Sequence, residues 1–302
     1  MHYTGTVWRP PYEASSLLIE VTAGCTHHKC KFCTLYDDFP FKFRMTPPED
    51  MEADLKEAKE QFRLWNYNRA ARVFLVGANP FVLSAARLLE TAALICKYFP
   101  DNKSIGCFSR ITDITLKTDG ELAELQRAGY DGLTIGIETG DNEALRFMNK
   151  GYEAQDILTQ CRRLDKAGIS YNFFYLTGIS GAGKGEKGAY DTAAICNQLQ
   201  PKVIGANMLT IYKNAELYQE IQNGNWQEET EIEKYKELRA FKYSCMVCCG
   251  RGVKCNPNSG VSAAGQEKGI VCSRGNHTKC EGRRIKGLPK KSPPFMTAIK
   301  VI

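Results

Sequence analysis

Three cysteines near the start of the chain have the type and spacing of metal ligands. Cys25, Cys30 and Cys33 lie in the segment GCTHHKCKFC, in a C-x4-C-x2-C arrangement. Thiolates are soft ligands that suit iron–sulfur clusters and zinc. Iron–sulfur clusters normally use four cysteines, so three would leave one iron of a [4Fe–4S] cluster without a protein ligand. An iron with such an open position can bind a small molecule, as metals do in catalytic sites generally.

Zinc is the alternative that this spacing leaves open. A structural zinc ion takes four ligands in a tetrahedron, and His27 or His28 could provide the fourth beside the three cysteines. Both histidines lie between two of the cysteines, so a closed site on this short loop would be strained. The spacing therefore favours an iron–sulfur cluster, with zinc as the second interpretation.

A second group of cysteines lies near the C-terminus. An auxiliary iron–sulfur cluster or a zinc ion there would use Cys245, Cys248, Cys255 and one of Cys272 or Cys280. Two features argue against such a ligand set. Cys248 is followed directly by another cysteine, and the segment lacks the periodic apolar residues of a packed helix or strand. From Cys245 onwards the chain carries eleven Lys or Arg and two Glu, a net charge of +9 against +6 for the whole chain. Without an aromatic platform or a helical period, nucleic-acid binding is not expected from this charge.

The part of the chain before this tail alternates between strand and helix patterns. Apolar, β-branched runs predict six strands, at 16–24, 72–77, 104–109, 131–138, 169–178 and 202–211. Helical patterns separate the strands, and one of them is expected near 189–198. Such runs are typical of parallel strands buried on both faces, joined by right-handed crossovers. The fold class is α/β, either an open doubly wound sheet or a partial barrel, with its chemistry at the C-terminal strand ends.

Three regions are predicted along the chain. Residues 1–15 form an N-terminal extension, residues 16–243 the core, and residues 244–302 a Cys-rich, basic, irregular tail that is either disordered or metal-binding.

No run approaches the ~18 apolar residues of a membrane span, and the N-terminus lacks the pattern of a signal peptide. We therefore expect a cytoplasmic protein without membrane contact. In that reducing compartment four scattered cysteines are expected to be small core residues: Cys96, Cys107, Cys161 and Cys196.

The segment GCTHHKCKFC after the first strand resembles the cluster loop of the radical S-adenosylmethionine (SAM) enzymes. Their usual spacing is C-x3-C-x2-C, so this loop has one extra residue. Further segments resemble, in order, the branch that contains the oxygen-independent coproporphyrinogen oxidases and the methylthiotransferases: VFLVGANP, SRITDI, AGYDGLTIGIETGDNEALRFMNKG, AGISYNFFYLTGISG and ELYQEIQNGNW. The resemblance covers roughly residues 15–242 and implies a partial (β/α)6 TIM-like barrel.

The resemblance also implies which residues bind SAM. Phe32 would pack near the adenine, and the turn formed by Gly77, Ala78 and Asn79 would hold the methionyl amine. Glu138 matches the polar residue that contacts the ribose. Lys150 falls near the basic residue that meets the SAM carboxylate, and Arg110 follows the third strand as a further SAM-binding candidate.

The activity that the resemblance implies is that of an enzyme with a [4Fe–4S] cluster and SAM as cofactors. One electron from the reduced cluster would cleave SAM to a 5′-deoxyadenosyl radical, which abstracts hydrogen from a substrate that the sequence does not identify. The implied partner is an electron donor such as flavodoxin or ferredoxin. The alternative from another class is a protein without catalysis, either an iron–sulfur carrier or a zinc-stabilised nucleic-acid binder.

Overall fold

A computed structural model of the protein describes residues 1–64 and 70–246, together with the backbone of 269–273. The strands are β1 (Leu17–Glu20), β2 (Thr22–Gly24), β3 (Phe43–Met45), β4 (Arg72–Val76), β5 (Ser104–Ser109), β6 (Leu133–Glu138), β7 (Tyr171–Thr177), β8 (Val203–Met208) and β9 (Gly269–Ser273). The α-helices are α1 (Pro48–Leu64), α2 (Ala85–Tyr98), α3 (Ile111–Thr115), α4 (Asp119–Arg127), α5 (Asn142–Phe147), α6 (Ala154–Ala167), α7 (Gly185–Cys196), α8 (Glu216–Gln222) and α9 (Glu231–Ser244).

The six predicted strands form one sheet in the order β1-β4-β5-β6-β7-β8, and each neighbouring pair is parallel. Strand order equals chain order, and at least one helix lies between each pair of neighbouring strands. This arrangement is the partial (β/α)6 barrel, so the doubly wound alternative is excluded. The C-terminal ends of all six strands lie at one rim.

The first predicted strand, 16–24, is divided in the structure. Its first half is β1, which pairs with β4, whereas its second half is β2, which pairs with β3 as an antiparallel ribbon. Val21 is the point of exchange, because its N–H donates to Val76 while its carbonyl accepts from Thr46. The sequence pattern did not show this change of partner, since both halves are equally apolar.

The C-terminal tail was expected to be irregular, but part of it is a strand. Residues Gly269–Ser273 form β9, antiparallel to β8. The parallel sheet would otherwise expose the unpaired backbone groups of β8, and the β-branched segment GIVCS is suited to cover them.

The main hydrophobic core lies between the outer face of the sheet and the helices. Residues such as Leu75, Cys107, Ile135 and Phe173 alternate along their strands towards this core. Helix ends follow local rules: Ser84 accepts from the Arg87 backbone N–H at the start of α2, and α6 ends at a left-handed glycine, Gly168. The helix expected near 189–198 begins earlier, at Gly185.

Three of the four scattered cysteines, Cys107, Cys161 and Cys196, are confirmed as core residues with no solvent exposure. The prediction for Cys96 was wrong, because this residue lies on the exposed side of α2. No helix among the described residues combines the length and apolarity that crossing a membrane requires.

Candidate active site

The loop that carries the three cysteines leaves the rim of the barrel directly after β2. Gly24 has a φ of 78° and allows the turn, after which the Cys25 N–H donates to the Lys42 carbonyl at 3.0 Å. Farther along, the Lys31 N–H donates to the Met148 carbonyl at 3.2 Å, and the Leu217 N–H donates to the Lys31 carbonyl at 2.8 Å. The loop is therefore held against the end of α5 on one side and α8 on the other.

The three thiols are half-buried and close enough to interact electrostatically. Burial raises the pKa of the Cys30 thiol, while the positive charges of Lys150 and Arg110 act in the opposite direction. Burial also raises the pKa of Cys33, to about 11, and both other thiols of the loop contribute to this shift. Metal binding would have to replace the protons that these thiols carry at neutral pH.

This donor set fits a cluster better than a single ion. Within residues 1–64 and 70–246, no three His, Cys, Asp or Glu side chains converge closely enough to hold one metal ion. In an iron–sulfur cluster each thiolate binds its own iron, so three neighbouring sulfurs need not share one ion. A tetrahedral zinc site, by contrast, requires its ligands to converge within ~2.0–2.3 Å of one ion.

The two histidines of the loop have other partners. His27 Nε2 lies 2.6 Å from the Asn149 carbonyl oxygen, and burial lowers the pKa of this imidazole. His28 Nε2 lies 3.0 Å from Asp37 Oδ1. Each contact occupies one ring nitrogen of its histidine, and no group of side chains in the described part of the chain converges to form a Cys3His site.

A buried ion pair faces the cysteine loop from the end of β6. Lys150 Nζ lies 3.1 Å from Glu138 Oε1, and Lys150 is only 4% exposed. Burial disfavours the ammonium, but the Glu138 carboxylate outweighs this effect, with help from Tyr152 and Cys30, and raises the pKa of Lys150. The lysine is therefore a permanent positive charge beside the thiols.

The backbone at Glu138 has an unusual conformation. Its φ is 59°, and the register of β6 against β7 shifts between Gly136 and Glu138. Left-handed conformations of residues other than glycine are uncommon and concentrate at functional sites. The irregularity turns the carboxylate back over Gly136, where a methyl group would lie 2.5 Å from Glu138 Oε1.

Arg110 and Phe32 lie in the same group. The Arg110 guanidinium donates to the Lys150 carbonyl oxygen and, at 3.0 Å, to Thr112 Oγ1. Lys150 Nζ lies 5.8 Å from the centroid of the Phe32 ring. The structure thus brings Cys30, Phe32, Arg110, Glu138 and Lys150 together from distant parts of the sequence.

The turn after β4 meets the same loop from another side. Gly77 has a φ of 133°, and a methyl group there would lie 2.5 Å from the Thr22 carbonyl oxygen. Ala78 follows in a half-buried position. Only glycine permits this close approach of the turn to β2.

Asn79 connects the turn to the cysteine loop. Its side chain is fully buried, and its amide donates to Thr26 Oγ1 at 2.8 Å and to Asp113 Oδ1 at 3.1 Å. Asp113 in turn accepts from the Arg110 backbone N–H at 2.7 Å, and burial raises the pKa of this carboxyl group to about 6. Asn79 thus links the cysteine loop to α3, and contact of Gly77, Ala78 and Asn79 with SAM stays a prediction.

Sequence reasoning missed two residues of the site, Asp113 and Tyr152. The Tyr152 hydroxyl donates to the Gly136 carbonyl at 2.9 Å, and its ring centroid lies 5.6 Å from Lys150 Nζ. Asp113 lies in the segment SRITDI, but the resemblance assigned no role to it, and Tyr152 lies just after the segment that ends at Gly151. Asp113 could have been noticed only as an acidic residue in the first turn after Arg110.

The cysteines predicted for an auxiliary site are mostly beyond the described residues. Cys248, Cys255 and Cys280 lie outside them, and of Cys272 only the backbone in β9 is described. Cys245 has no solvent exposure and its thiol interacts with that of Cys196 in the core. The auxiliary cluster therefore stays a prediction.

Comparison with known proteins identifies the family of this chain. Residues 19–190 match the sequence profile of the radical SAM superfamily. A comparison with curated protein sequences found no match.

Solved structures of radical SAM enzymes have a similar fold. Coproporphyrinogen III oxidase (HemN) from Escherichia coli is 15% identical with a TM-score of 0.58, and the similarity covers 86% of this chain and 55% of that one. Methylornithine synthase (PylB) is 14% identical with a TM-score of 0.53, over 76% of this chain and 62% of that one. The methyltransferase TsrM from Kitasatospora setae is 19% identical with a TM-score of 0.53, over 69% of this chain and 37% of that one. At these identities the similarity concerns the fold alone, and the matches span less than two thirds of each of these structures.

Proposed function

Because this chain belongs to the radical SAM superfamily and is an enzyme of SAM-dependent radical chemistry, we propose the following assignment of its site. Cys25, Cys30 and Cys33 bind a [4Fe–4S] cluster, and the residues that surround Cys30 bind SAM. When bound, the cluster supplies the electron that cleaves SAM to methionine and a 5′-deoxyadenosyl radical, which removes a hydrogen atom from the substrate.

The residues around the cluster loop provide the binding groups that SAM requires. The Lys150 ammonium, kept charged by Glu138, offers a positive charge to the SAM carboxylate. Glu138 retains acceptor oxygens for the ribose hydroxyls. The backbone at Gly77 and Ala78 is close to the loop and free of large side chains, as a site for the methionyl amine must be, and Phe32 offers an apolar face to the adenine.

One observation carries this proposal. Lys150 Nζ lies 3.1 Å from Glu138 Oε1 and 5.8 Å from the ring centroid of Phe32 in the cysteine loop, although Phe32 is far from both residues along the chain. A thiol loop, a buried cation and a carboxylate in a strained conformation are therefore assembled at the rim where barrels of this class perform their chemistry. A structural metal site would not need the buried ion pair.

The cluster needs an external source of electrons. We propose a small electron-transfer protein, of the flavodoxin or ferredoxin kind, as the partner. The half-buried position of the three cysteines leaves the loop near the surface, which supports electron entry from outside.

The first test concerns the cysteines. The protein reconstituted anaerobically with iron and sulfide should show a cluster signal by electron paramagnetic resonance (EPR) that changes when SAM is added. With dithionite it should form 5′-deoxyadenosine. Replacing all three residues, C25A/C30A/C33A, should abolish both the signal and the product, because no thiolate then holds iron.

The matched control is Cys96→Ala, since Cys96 is an exposed thiol on α2 away from the loop. This variant should keep the signal and the product. A SAM-responsive cluster in the triple variant would contradict the proposal. A colourless wild-type protein that binds zinc would instead support the non-catalytic alternative.

A further inference from the structure

The inner, concave face of the barrel carries a row of aromatic rings below Glu138. The rings of Phe74 and Phe108 have centroids 5.1 Å apart at 85°, and those of Phe108 and Phe174 have centroids 6.5 Å apart at 38°. They belong to β4, β5 and β7. Their sequence neighbours Leu75, Cys107 and Phe173 pack in the helix-covered core, so the three rings face the barrel interior.

Glycines create the space in which these rings lie. Gly106 is the register partner of Phe74, and Gly205 is the register partner of Phe174. A methyl group at Gly205 would lie 3.2 Å from two ring atoms of Phe174, and one at Gly106 would lie 3.0 Å from the Phe74 ring. Glycine in a strand often marks a place where another group approaches the backbone closely.

The N-terminal extension covers this row in part, from Phe74 to Thr134, the register partner of Phe108. Val7 packs against Phe74 and Val76, and the Tyr12 hydroxyl lies 2.9 Å from Thr134 Oγ1. Phe74 is fully buried as a result, whereas Phe108 and Phe174 remain half-buried. Part of their ring surface is thus open towards the barrel interior.

This open surface lies next to the SAM-binding residues. Gly136 is the register partner of Phe174 and precedes Glu138 by two residues, on the same face of β6. A molecule resting on Phe174 would therefore lie directly below the Glu138 carboxylate, where a radical formed from SAM must meet its substrate.

The two charged side chains on the same face of the described strands below Glu138 already have hydrogen-bonding partners. Arg72 is bound to Glu13 through contacts of 2.6 and 2.8 Å, and Glu20 accepts from Thr4 at 2.6 and 2.9 Å. The polar side chains of Ser104, Thr134, Asn172 and Asn207 on this face are neutral. A charged group placed against the rings would lose its hydration without gaining a partner.

We propose that the substrate presents a neutral aromatic ring system to Phe108 and Phe174. This inference rests on the proposed function, since it takes the molecule at this face to be the radical's target. Contacts between aromatic rings contribute about 0.5–1.5 kcal/mol beyond burial of the same area, so the two phenylalanines favour an aromatic ligand over an aliphatic one of equal shape.

The test uses three probes of one size on the reconstituted full-length protein. 2-Naphthol is neutral and aromatic, decahydro-2-naphthol has a similar shape without π-electrons, and 2-naphthoate carries a charge. We expect saturable binding of 2-naphthol by titration calorimetry and weaker binding of both other probes. Phe174→Leu and Phe108→Leu should each weaken 2-naphthol binding about two- to tenfold.

The matched control is Phe62→Leu, because Phe62 and Phe99 form a similar edge-on pair, with centroids 5.7 Å apart, among the outer helices. This variant should bind 2-naphthol like the wild type, and far-ultraviolet circular dichroism should confirm that all variants are folded. Equal binding of 2-naphthol and its decahydro form, or no loss in both ring variants, would overturn the inference. Displacement of 2-naphthol by SAM would also overturn it, because the rings would then serve the adenine.

The two proposals fail separately. Formation of 5′-deoxyadenosine without saturable 2-naphthol binding would remove the aromatic substrate class and leave the proposed function intact. Ring-dependent 2-naphthol binding in a protein without a SAM-responsive cluster would contradict the proposed function alone.

Discussion

The protein buries ionisable groups at the ends of two neighbouring strands, in opposite ways. At the end of β6, Glu138 is paired with the ammonium of Lys150. At the end of β7, the carboxyl group of Glu237 lies near a second carboxyl group, that of Glu229, and both residues are almost completely buried. The first region joins opposite charges, whereas the second joins like groups.

The pKa values show how each region accommodates its buried ionisable groups. Burial lowers the pKa of Lys150, but Glu138 and its neighbours raise it by more, so the lysine keeps its charge. Burial raises the pKa of Glu237 to about 9, so this carboxyl group is protonated at neutral pH. It accepts hydrogen bonds from the Tyr175 hydroxyl and, at 2.6 Å, from the Gly178 backbone N–H.

We interpret the β6 region as a ligand-binding site and the β7 region as a structural contact. A charge that is kept inside the protein is costly unless it is paired, but it remains available to a ligand of opposite charge. A protonated carboxyl group avoids that cost and acts only as a hydrogen-bonding group. We therefore expect the β6 region to determine SAM binding and the β7 region to determine how firmly α9 is attached.

The largest effect should come from breaking the ion pair. Lys150→Met leaves Glu138 as a buried charge without its partner and should lower the free energy of unfolding by about 3 kcal/mol. Urea unfolding of the cofactor-free protein measures this change. SAM binding should weaken as well, since the cation for the carboxylate is lost.

A double variant checks that the unpaired charge causes the loss. E138Q/K150M removes both charges and should be more stable than Lys150→Met alone, because no uncompensated carboxylate remains. If the double variant is the less stable of the two, the pair is not the origin of the effect.

The second prediction concerns the pH dependence of stability. The folded-state pKa of Glu237, about 9, lies above the value of ~4.3 expected for an unfolded chain. Between these values the folded state binds more protons, so the free energy of unfolding falls as the pH rises, by at most ~1.4 kcal/mol per pH unit. Glu237→Gln should flatten this fall and make the variant more stable than the wild type at pH 8.

Urea unfolding at several pH values between 5 and 8 tests this prediction. Glu60→Gln is the control, because Glu60 is an exposed residue of α1 whose pKa is lowered by a hydrogen bond from Arg63. The control should retain the falling profile. Identical profiles for wild type and Glu237→Gln would show that Glu237 ionises without penalty.

The smallest effect should follow from loosening the start of α9. Thr230 Oγ1 accepts from the Glu233 backbone N–H at 3.2 Å as the N-cap of this helix. Thr230→Ala should cost about 1 kcal/mol of unfolding free energy. The dissociation constant of SAM, measured by calorimetry on the reconstituted protein, should stay the same, and a weaker affinity would mean that the two regions are coupled.

Sequence patterns predicted the strands because burial on both faces leaves a continuous apolar run, which is a local property. They missed the exchange of partners at Val21, since a hydrogen-bonding partner is not a property of the strand's own composition. They also misplaced Cys96, because an apolar stretch does not show which side of a helix faces the core.

The sequence by itself indicated which residues could form the site, from the spacing of the cysteines and from the residues at the strand ends. Cys25, Cys30 and Cys33 are close along the chain, so their spacing alone indicated a soft metal centre. Resemblance to a family indicated Glu138 and Lys150, but not that one would keep the other charged.

Only the tertiary structure decided which of these groups meet. Asp113 and Asn79 are 34 residues apart along the chain, yet a hydrogen bond between them connects the turn after β4 to α3. Whether a buried group keeps its charge, as Lys150 does beside Glu138, or a buried carboxyl group holds a proton, as that of Glu237 does, depends on the neighbours that folding brings to it. The physical reason is that burial disfavours a charge of either sign, and only a partner in space can offset this penalty.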